Sequence, residues 1–552
     1  MIKPLLLFFV GTYWSLLVYA KGVFDEDILI PRTDFFTPKN IIFCTQGAGS
    51  SHHFWVLEMM KELHSRGHNV SFHTAGDQMV FGKDYPMIET FQLAQHNNFI
   101  VGMMEEGTLN HPSQLDMALS SVRHATKQYI RLFQETQDLI RERKVDLVIA
   151  DAFALASADA AIDMKIPVAL TSTFTTYPDS NQEYVNNNIY SFRMATINHE
   201  SIYNRLYNRL YVPYAIWKTS RQLKNVMDFQ RKLGFEPSMD TNAKRYSKVT
   251  KIVNNAFGLE TSREMSQLVN MVGPILRTNY PNMDEKTATF LSQHNRTIYV
   301  AFGQHTVPSE EDVHLILYNL LKLKEEGYIN GIIWARLDPN VLPQKLEIAT
   351  KNSKFTISKS DLLNSPEFLI LKWAPQYAIL QHPSTVLFVG HGGIGSIHES
   401  LYSRVPLFIY SFFADQPYNG HMIQKLGVGE QIDTIQMKFT KQNYKIMYER
   451  LQTVLLDRDG GIAKAVDKFS NYLQIKSQNS IQRGADILEE CVFASNDQGY
   501  LGHLQDIKYE INWIKRNSID LYVTMFSLVG LSFVLISKLT KYLSVNNKAK
   551  TE

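Results

Sequence analysis

Cysteine is scarce: the 552-residue chain has two, Cys44 and Cys491, far apart. That excludes a disulfide framework and a thiolate metal cluster. A secreted compartment stays open, because large domains fold without disulfides. Net charge is also small. Lys+Arg 56 against Asp+Glu 54 leaves no basic field to hold a nucleic acid. Internal repeats and low-complexity segments are absent. What remains is ordinary globular composition, 45% hydrophobic and 20% charged. The length allows one large core or several smaller ones.

Apolar runs mark both ends. "MIKPLLLFFVGTYWSLLVYAK" places Lys3 before an apolar stretch that closes on Val18-Tyr19-Ala20. This predicts a signal peptide over 1–20, with a retained anchor as the alternative. "LYVTMFSLVGLSFVLIS", Leu521 to Ser537, carries no charge. At about 1.5 Å per helical residue it is near the lower limit for crossing a bilayer. We expect a juxtamembrane region over 476–518, a transmembrane helix over 519–540 and a basic tail over 541–552. Lys538, Lys541, Lys548 and Lys550 place that tail in the cytosol. The final "KAKTE" resembles a dilysine retrieval address. The expectation is a single-pass type I protein of the endoplasmic reticulum membrane with a lumenal body. Two glycosylation sequons fall in that body. Asn69 leads into an expected buried strand and is the poorer acceptor; Asn295, in the polar turn "SQHNRT", is the candidate.

The body reads as two α/β halves. "NIIFCTQ", "HNVSFHTA", "VDLVIAD" and "IPVALTS" predict strands in the first, with "SHHFWVLEMMKELHSRG" a helix burying Trp55, Met59 and Leu63. "TIYVAFG", "NGIIWAR", "EFLILKW", "TVLFVG" and "VPLFIY" predict strands in the second. Near-continuous apolar strands alternating with helices argue parallel sheets covered on both faces. The segment 180–235 differs, with aromatics at helical spacing ("YNRLYNRLYVPYAIW"). It fits core packing, or a surface for an apolar ligand or the bilayer interface.

Chemistry concentrates in "FVGHGGIGSIHES". A strand that turns on glycines into a helix presents unpaired N–H groups, and the helix dipole favours an anion there. Gly392, Gly393 and Gly395 allow close approach, and His391 can donate to a phosphate. Glu399 suits a pair of ribose hydroxyls. Upstream, Trp373 can stack on a base and Gln376 can pair with a base edge or ribose. Downstream, Asp415 and Gln416 offer acceptors and donors to sugar hydroxyls. All follow the carboxyl ends of strands, where open α/β sheets bind ligands. The set describes a nucleotide-sugar site. A competing signal, "GAGSSH" at 47–52, is an incomplete dinucleotide motif with Asp77 as its acidic partner; it keeps an oxidoreductase open.

The run "WAPQ … HP … FVGHGGIGSIHES … VP … ADQP" resembles the signature of the UDP-glycosyltransferase family, the type that includes membrane-bound UDP-glucuronosyltransferases. "SHHFWVLEMMKELHSRGHNV", "DLVIAD" and "YVAFG" extend the resemblance over nearly the whole chain. It implies the GT-B architecture: two Rossmann-like doubly wound domains facing a cleft, an acceptor domain over 21–275 and a UDP-sugar domain over 276–475. It implies inverting transfer of a hexose or hexuronic acid to a hydroxyl of a lipid, sterol or phenol, with no metal and no cofactor beyond the UDP-sugar co-substrate. Carried over, His52 is the base and Asp151 its partner, with adjacent His53 expected to matter far less. The donor residues are Gly303, Trp373, Gln376, His391, Gly393, Gly395, Ser396, Glu399, Asp415 and Gln416. Expected partners are the UDP-sugar, a small lipophilic acceptor and the membrane, with no nucleic acid and homo-oligomerisation left open. Departures are Gly395 for a frequent Asn, Gln304 for Ser or Thr, Arg404 for Gly and Ser411 for Pro. The alternative is a non-catalytic membrane-anchored protein that binds UDP-sugar or lipid.

Overall fold

A computed structural model describes residues 37–47, 49–93, 101, 103, 114–185, 196–220, 223–350, 353–433 and 439–548. The expected signal peptide and the last residues of the lysine tail lie outside the described residues.

The first sheet has β1 (Asn40–Cys44), β2 (Asn69–Thr74), β3 (Glu89–Gln92), β4 (Leu147–Asp151), β5 (Val168–Ser172), β6 (Thr250–Val253) and β7 (Val269–Met271). Their order is β3-β2-β1-β4-β5-β6-β7, all parallel. Alternate side chains leave opposite faces of a strand, and both faces are covered. Ile41 and Phe43 pack with α1 (Phe54–Ser65), whose Trp55, Met59 and Leu63 are buried as expected. Ile42 and Cys44 pack on the other side with α2 (Leu155–Asp163), an alanine-rich helix that lies close to the sheet.

The second sheet begins with β8 (Thr297–Ala301) and β9 (Gly331–Ala335). A separate antiparallel hairpin, β10 (Lys345–Ala349) and β11 (Lys354–Ser358), follows. The sheet then adds β12 (Phe368–Leu371), β13 (Thr385–Gly390), β14 (Leu407–Ser411) and β15 (Gly429–Asp433). Its order is β12-β9-β8-β13-β14-β15, again all parallel. Ile298 and Val300 face α3 (Glu310–Glu325), while Tyr299 and Ala301 face α4 (Ile394–Tyr402). Helix α5 (Gln416–Leu426) follows β14.

After the second sheet the chain returns to the first. Helix α6 (Ser480–Ala494) buries Ala485, Leu488 and Cys491 in the same cluster as Met59. Arg66 Nη1 bridges Asp486 and Glu489 at 2.7 and 2.6 Å. Both cysteines are buried and free. Helix α7 (Ile519–Lys548) is exposed, and its Ile519–Leu543 portion is long and apolar enough to cross a membrane. It runs to Lys548, so the stretch expected as tail from 541 continues as helix.

Candidate active site

Strand order reverses between β1 and β4 in one sheet and between β8 and β13 in the other. Adjacent connections there leave to opposite faces and open a crevice at the carboxyl ends. Both crevices carry expected site residues. Beyond β1, a tight turn over Ser50–His52 precedes α1. His52 Nδ1 donates to Asp151 Oδ2 at 2.8 Å, and Asp151, the last residue of β4, is fully buried. The other carboxylate oxygen accepts the Phe153 N–H at 3.0 Å. The Phe153 ring packs 5.2 Å from the imidazole. Burial alone pushes the His52 pKa down, but the charge and hydrogen bond of Asp151, with Asp415 adding from the other lobe, hold it above its ordinary value.

His53 faces the opposite way. Its ring bonds Gly49 O at 2.9 Å and Thr45 Oγ1 and Gln78 Oε1 at 3.1 Å, among Phe43, Phe72 and Phe81. Burial lowers its pKa to about 4, so it is a neutral core residue. Its removal would leave buried polar groups unpaired, a cost to stability distinct from the expectation that it matters far less than His52 to transfer.

In the second lobe Gly392 has φ +94°, and a Cβ there would come within 3.0 Å of Gln416 O. Only glycine turns β13 into α4 at this point without strain. The His391 ring is wedged between Gly303 and Gly393, where added Cβ atoms would lie 2.9 and 2.4 Å from it. Burial and neighbouring His305 lower its pKa to about 4, so it is neutral and offers a hydrogen bond rather than a charge. Gln376 Nε2 donates to Glu399 Oε2 at 2.7 Å and Ser396 Oγ at 3.0 Å, bringing three expected residues together. Burial raises the Glu399 pKa, against the opposing bond from Gln376. Gln416 Oε1 accepts the N–H groups of Phe412 and Phe413 at 2.8 and 3.1 Å. Asp415 Oδ2 accepts from Asn419 at 2.8 Å, and burial raises its pKa. Trp373 stands apart, 61% exposed just past β12 and outside the cavity wall. Asn69 and Asn295 are both exposed, and Asn69 leads into the buried strand β2 as expected, with Val70 and Ser71 of its sequon buried.

A cavity of about 440 Å³ spans both lobes. Its lining combines polar His52, His391, Gln304, Asp415 and Gln416 with apolar Met117, Leu223 and Met227. The lobes touch at the turn bearing His52. Gln304 Oε1 accepts the Ser50 N–H at 3.1 Å, and a Cβ on Gly395 would lie 3.4 Å from Ser51. Sequence reading missed this contact, the Phe153 packing, the field of Asp415 at His52 and the apolar wall. Gln304 was visible as a departure, but its partner lies 254 positions away.

This is the GT-B fold of two-domain glycosyltransferases. A UDP-glucosyltransferase from Polygonum tinctorium, described as capable of glucosylating indoxyl, shares it with TM-score 0.55 at 18% identity, covering 82% of this chain and 99% of that one. Phytolacca americana UGT2, complexed with UDP-2-fluoro-glucose and pterostilbene, gives 0.54 at 16%, with the same coverage. The chain belongs to the UDP-glucoronosyl and UDP-glucosyl transferase family, whose model matches residues 44–457. UDP-glycosyltransferase stmC from Aspergillus ustus is 26% identical over 507 residues, 86% of this chain and 92% of the relative. UDP-glucuronosyltransferase 3A1 from Xenopus laevis is 24% identical over 417 residues, 71% and 74% respectively. The oxidoreductase reading of "GAGSSH" is thereby set aside.

Proposed function

We propose that this glycosyltransferase moves a hexose or hexuronic acid from a UDP-sugar to a hydroxyl of a small lipophilic acceptor, with inversion and without a metal. The observation that carries the reading is one cavity whose lining includes His52, backed by Asp151, the His391 corner and the apolar Met117, Leu223 and Met227. His52 Nδ1 is engaged by Asp151, which leaves Nε2 to take the acceptor proton. The deprotonating oxygen attacks the anomeric carbon as its bond to the β-phosphate breaks. The electron pair leaves with UDP, stabilised by the His391 hydrogen bond and the N–H groups opening α4. Asp151 steadies the imidazolium and fixes its tautomer. The UDP half rests on Trp373, Gln376, Ser396 and Glu399, the sugar on Asp415 and Gln416.

The test is purified protein with several UDP-sugars and a panel of lipid alcohols and phenols, read by product mass. His52→Ala should keep UDP binding and lose transfer by about 10²–10⁴-fold. Wild-type-like transfer by His52→Ala would remove the histidine-base mechanism. We place the protein in the endoplasmic reticulum membrane with both lobes lumenal and Asn295 glycosylated, supported by the signal-like N-terminus and the lysines of the C-terminal tail. Protease added to intact microsomes should trim only the tail; digestion of the body from outside would sink this orientation.

A further inference from the structure

One acid in the cavity wall has more hydrogen-bonding capacity than the fold uses. Asp240 lies in the loop between the helix Lys224–Lys232 and β6, and it lines the cavity. Its Oδ1 accepts the Asn242 N–H at 2.9 Å, with Asn242 Nδ2 and Thr241 Oγ1 at 3.3 and 3.4 Å. That is an Asx turn, which needs one side-chain oxygen. Oδ2 has no hydrogen-bond or ion-pair partner among the described residues, and it is not sealed inside the protein. Burial raises the Asp240 pKa, against the opposing bonds of Asn242 and Thr241. Other acids of the first lobe that are withdrawn from water are answered. Asp151 meets His52, Asp159 meets Arg245, Asp179 meets Lys251, and Glu58 meets Tyr85 and Thr278. A carboxyl oxygen left without a donor in a mainly apolar enclosure is costly unless an incoming group supplies one.

The loop that carries Asp240 is held in place from several sides. Gln230, fully buried, accepts the Ser238 N–H at 2.9 Å and donates to Ser238 O at 3.0 Å. Arg245, fixed on Asp159, donates to Glu236 O and Ser238 O at 2.9 and 2.8 Å. Ser238 Oγ accepts the Asp240 N–H at 3.2 Å, and Thr241 Oγ1 donates to Thr176 O, just past β5, at 2.7 Å. The carboxyl group is therefore positioned before a ligand arrives, which lowers the cost of binding one. The same cavity wall holds a second polar group with spare capacity. Gln46, just past β1 and 3% exposed, has no partner for its Nε2 among the described residues. The connection that follows β1 also carries His52, two strands along the sheet from β5. A few placed polar groups in a mainly apolar lining orient a ligand rather than merely admit it.

We infer that Asp240 is a specificity residue for the acceptor, and that its Oδ2 receives a hydroxyl or amino group other than the hydroxyl that is glycosylated. The acceptor is then a lipophilic body with hydrogen-bond donors at two separated places, one meeting His52 and one meeting Asp240. An acceptor without the second donor leaves Oδ2 unpaired in the bound complex, and the loss appears in the rate. The inference rests on the transferase reading given above, and the test reports that reading separately.

The test uses the full chain, several UDP-sugars, and two acceptor series, hydroxybiphenyls and long-chain alkanols. The far end of each acceptor carries methyl, methoxy, hydroxyl or amino. Two members of a series compete in one tube, and products are read by mass. The product ratio gives the ratio of kcat/KM and does not depend on how much of the enzyme is folded. Hydroxyl- and amino-ended members should exceed their methyl and methoxy partners by about 10–100-fold, beyond the statistical gain from a second hydroxyl. Amino well above hydroxyl would show a cation on an ionised carboxylate, and equality a neutral hydrogen bond; both support the assignment. Asp240→Asn keeps the oxygen that the turn uses and puts an N–H group in the place of Oδ2. It should reverse the preference toward the methoxy members. Asp240→Ser, whose hydroxyl can close the same turn, should lose the preference without reversing it. An unchanged ratio in either variant, or no preference in the wild type, would overturn the proposal and leave the transferase reading intact. No transfer to any member of either series would remove that reading and the proposal together.

Discussion

Two adjacent histidines with opposite surroundings show how little separates a reactive group from a structural one. His52 meets a buried carboxylate, and His53 meets a carbonyl, a hydroxyl and an amide. Asp151→Asn keeps a group of nearly the same shape but removes the charge that holds the His52 pKa up. Activity should fall with the fold intact. In the wild type the rate falls as pH drops through the His52 pKa, which is raised, so the acid limb should lie above the 6.5 of an ordinary imidazole. A limb below 6.5 would deny His52 the base role. Gln304→Ala tests the contact between lobes. Losing one hydrogen bond of about 0.5–1.5 kcal/mol should slow transfer about two- to tenfold, with UDP affinity kept. A loss of UDP affinity without a change in turnover would make Gln304 a donor ligand only. Trp373→Ala should weaken UDP binding by about 1–3 kcal/mol if the exposed ring stacks on the base; unchanged affinity on calorimetry would put the base elsewhere. Arg404 explains why glycine suits its position: φ is +62°, a left-handed conformation costing roughly 1–2 kcal/mol outside glycine. Its bond to Asn471 at 2.8 Å partly offsets that.

At the scale of elements, the sequence was legible where burial is two-sided. β1, β4, β5, β8, β13 and β14 are apolar runs, and each was expected close to where it stands. The strands not read from the sequence carry no such run. β15 is "GEQID", paired to β14. β6 is "TKIV", and its Lys251 is buried because Asp179 neutralises it from a distant segment. Hairpin β10–β11 alternates polar and apolar residues and stands outside both sheets. At the site, motif spacing made single residues legible, but not the pairing of lobes, which only tertiary structure creates. The return of α6 can be tested directly. A Cβ on Gly484 would lie 2.2 Å from Met59 Sδ. Gly484→Ala should cost about 1–3 kcal/mol by overpacking. Met59→Ala in the same chain should recover part of it, a coupling read by denaturant unfolding of the double mutant. Strict additivity would mean the two do not meet.

The molecule as a whole buries several neutral imidazoles. Burial lowers His53 and His391 to about 4, and His73 and His398 to about 3. Each pKa is depressed below its unfolded value of 6.5. The unfolded chain therefore binds more protons than the folded one between those values, and stability is lost as pH falls through that window. The thermal midpoint should decline steadily from pH 6.5 toward 4. A flat profile there would mean these rings titrate normally in the folded state.

The returning helix α6 has a mechanical consequence. Chain passes between the lobes twice, once after Met271 and once before Ser480, so the lobes hang on two pins instead of one. Two pins define an axis: they leave a swing and resist a twist. The segment beyond α6 stays with the first lobe, with Leu501 in its core, until it runs into α7. The first lobe is thus the door frame, fixed to whatever α7 is set in. A swing about that axis would carry the Gly303–His391 corner of the second lobe along one repeatable arc relative to His52.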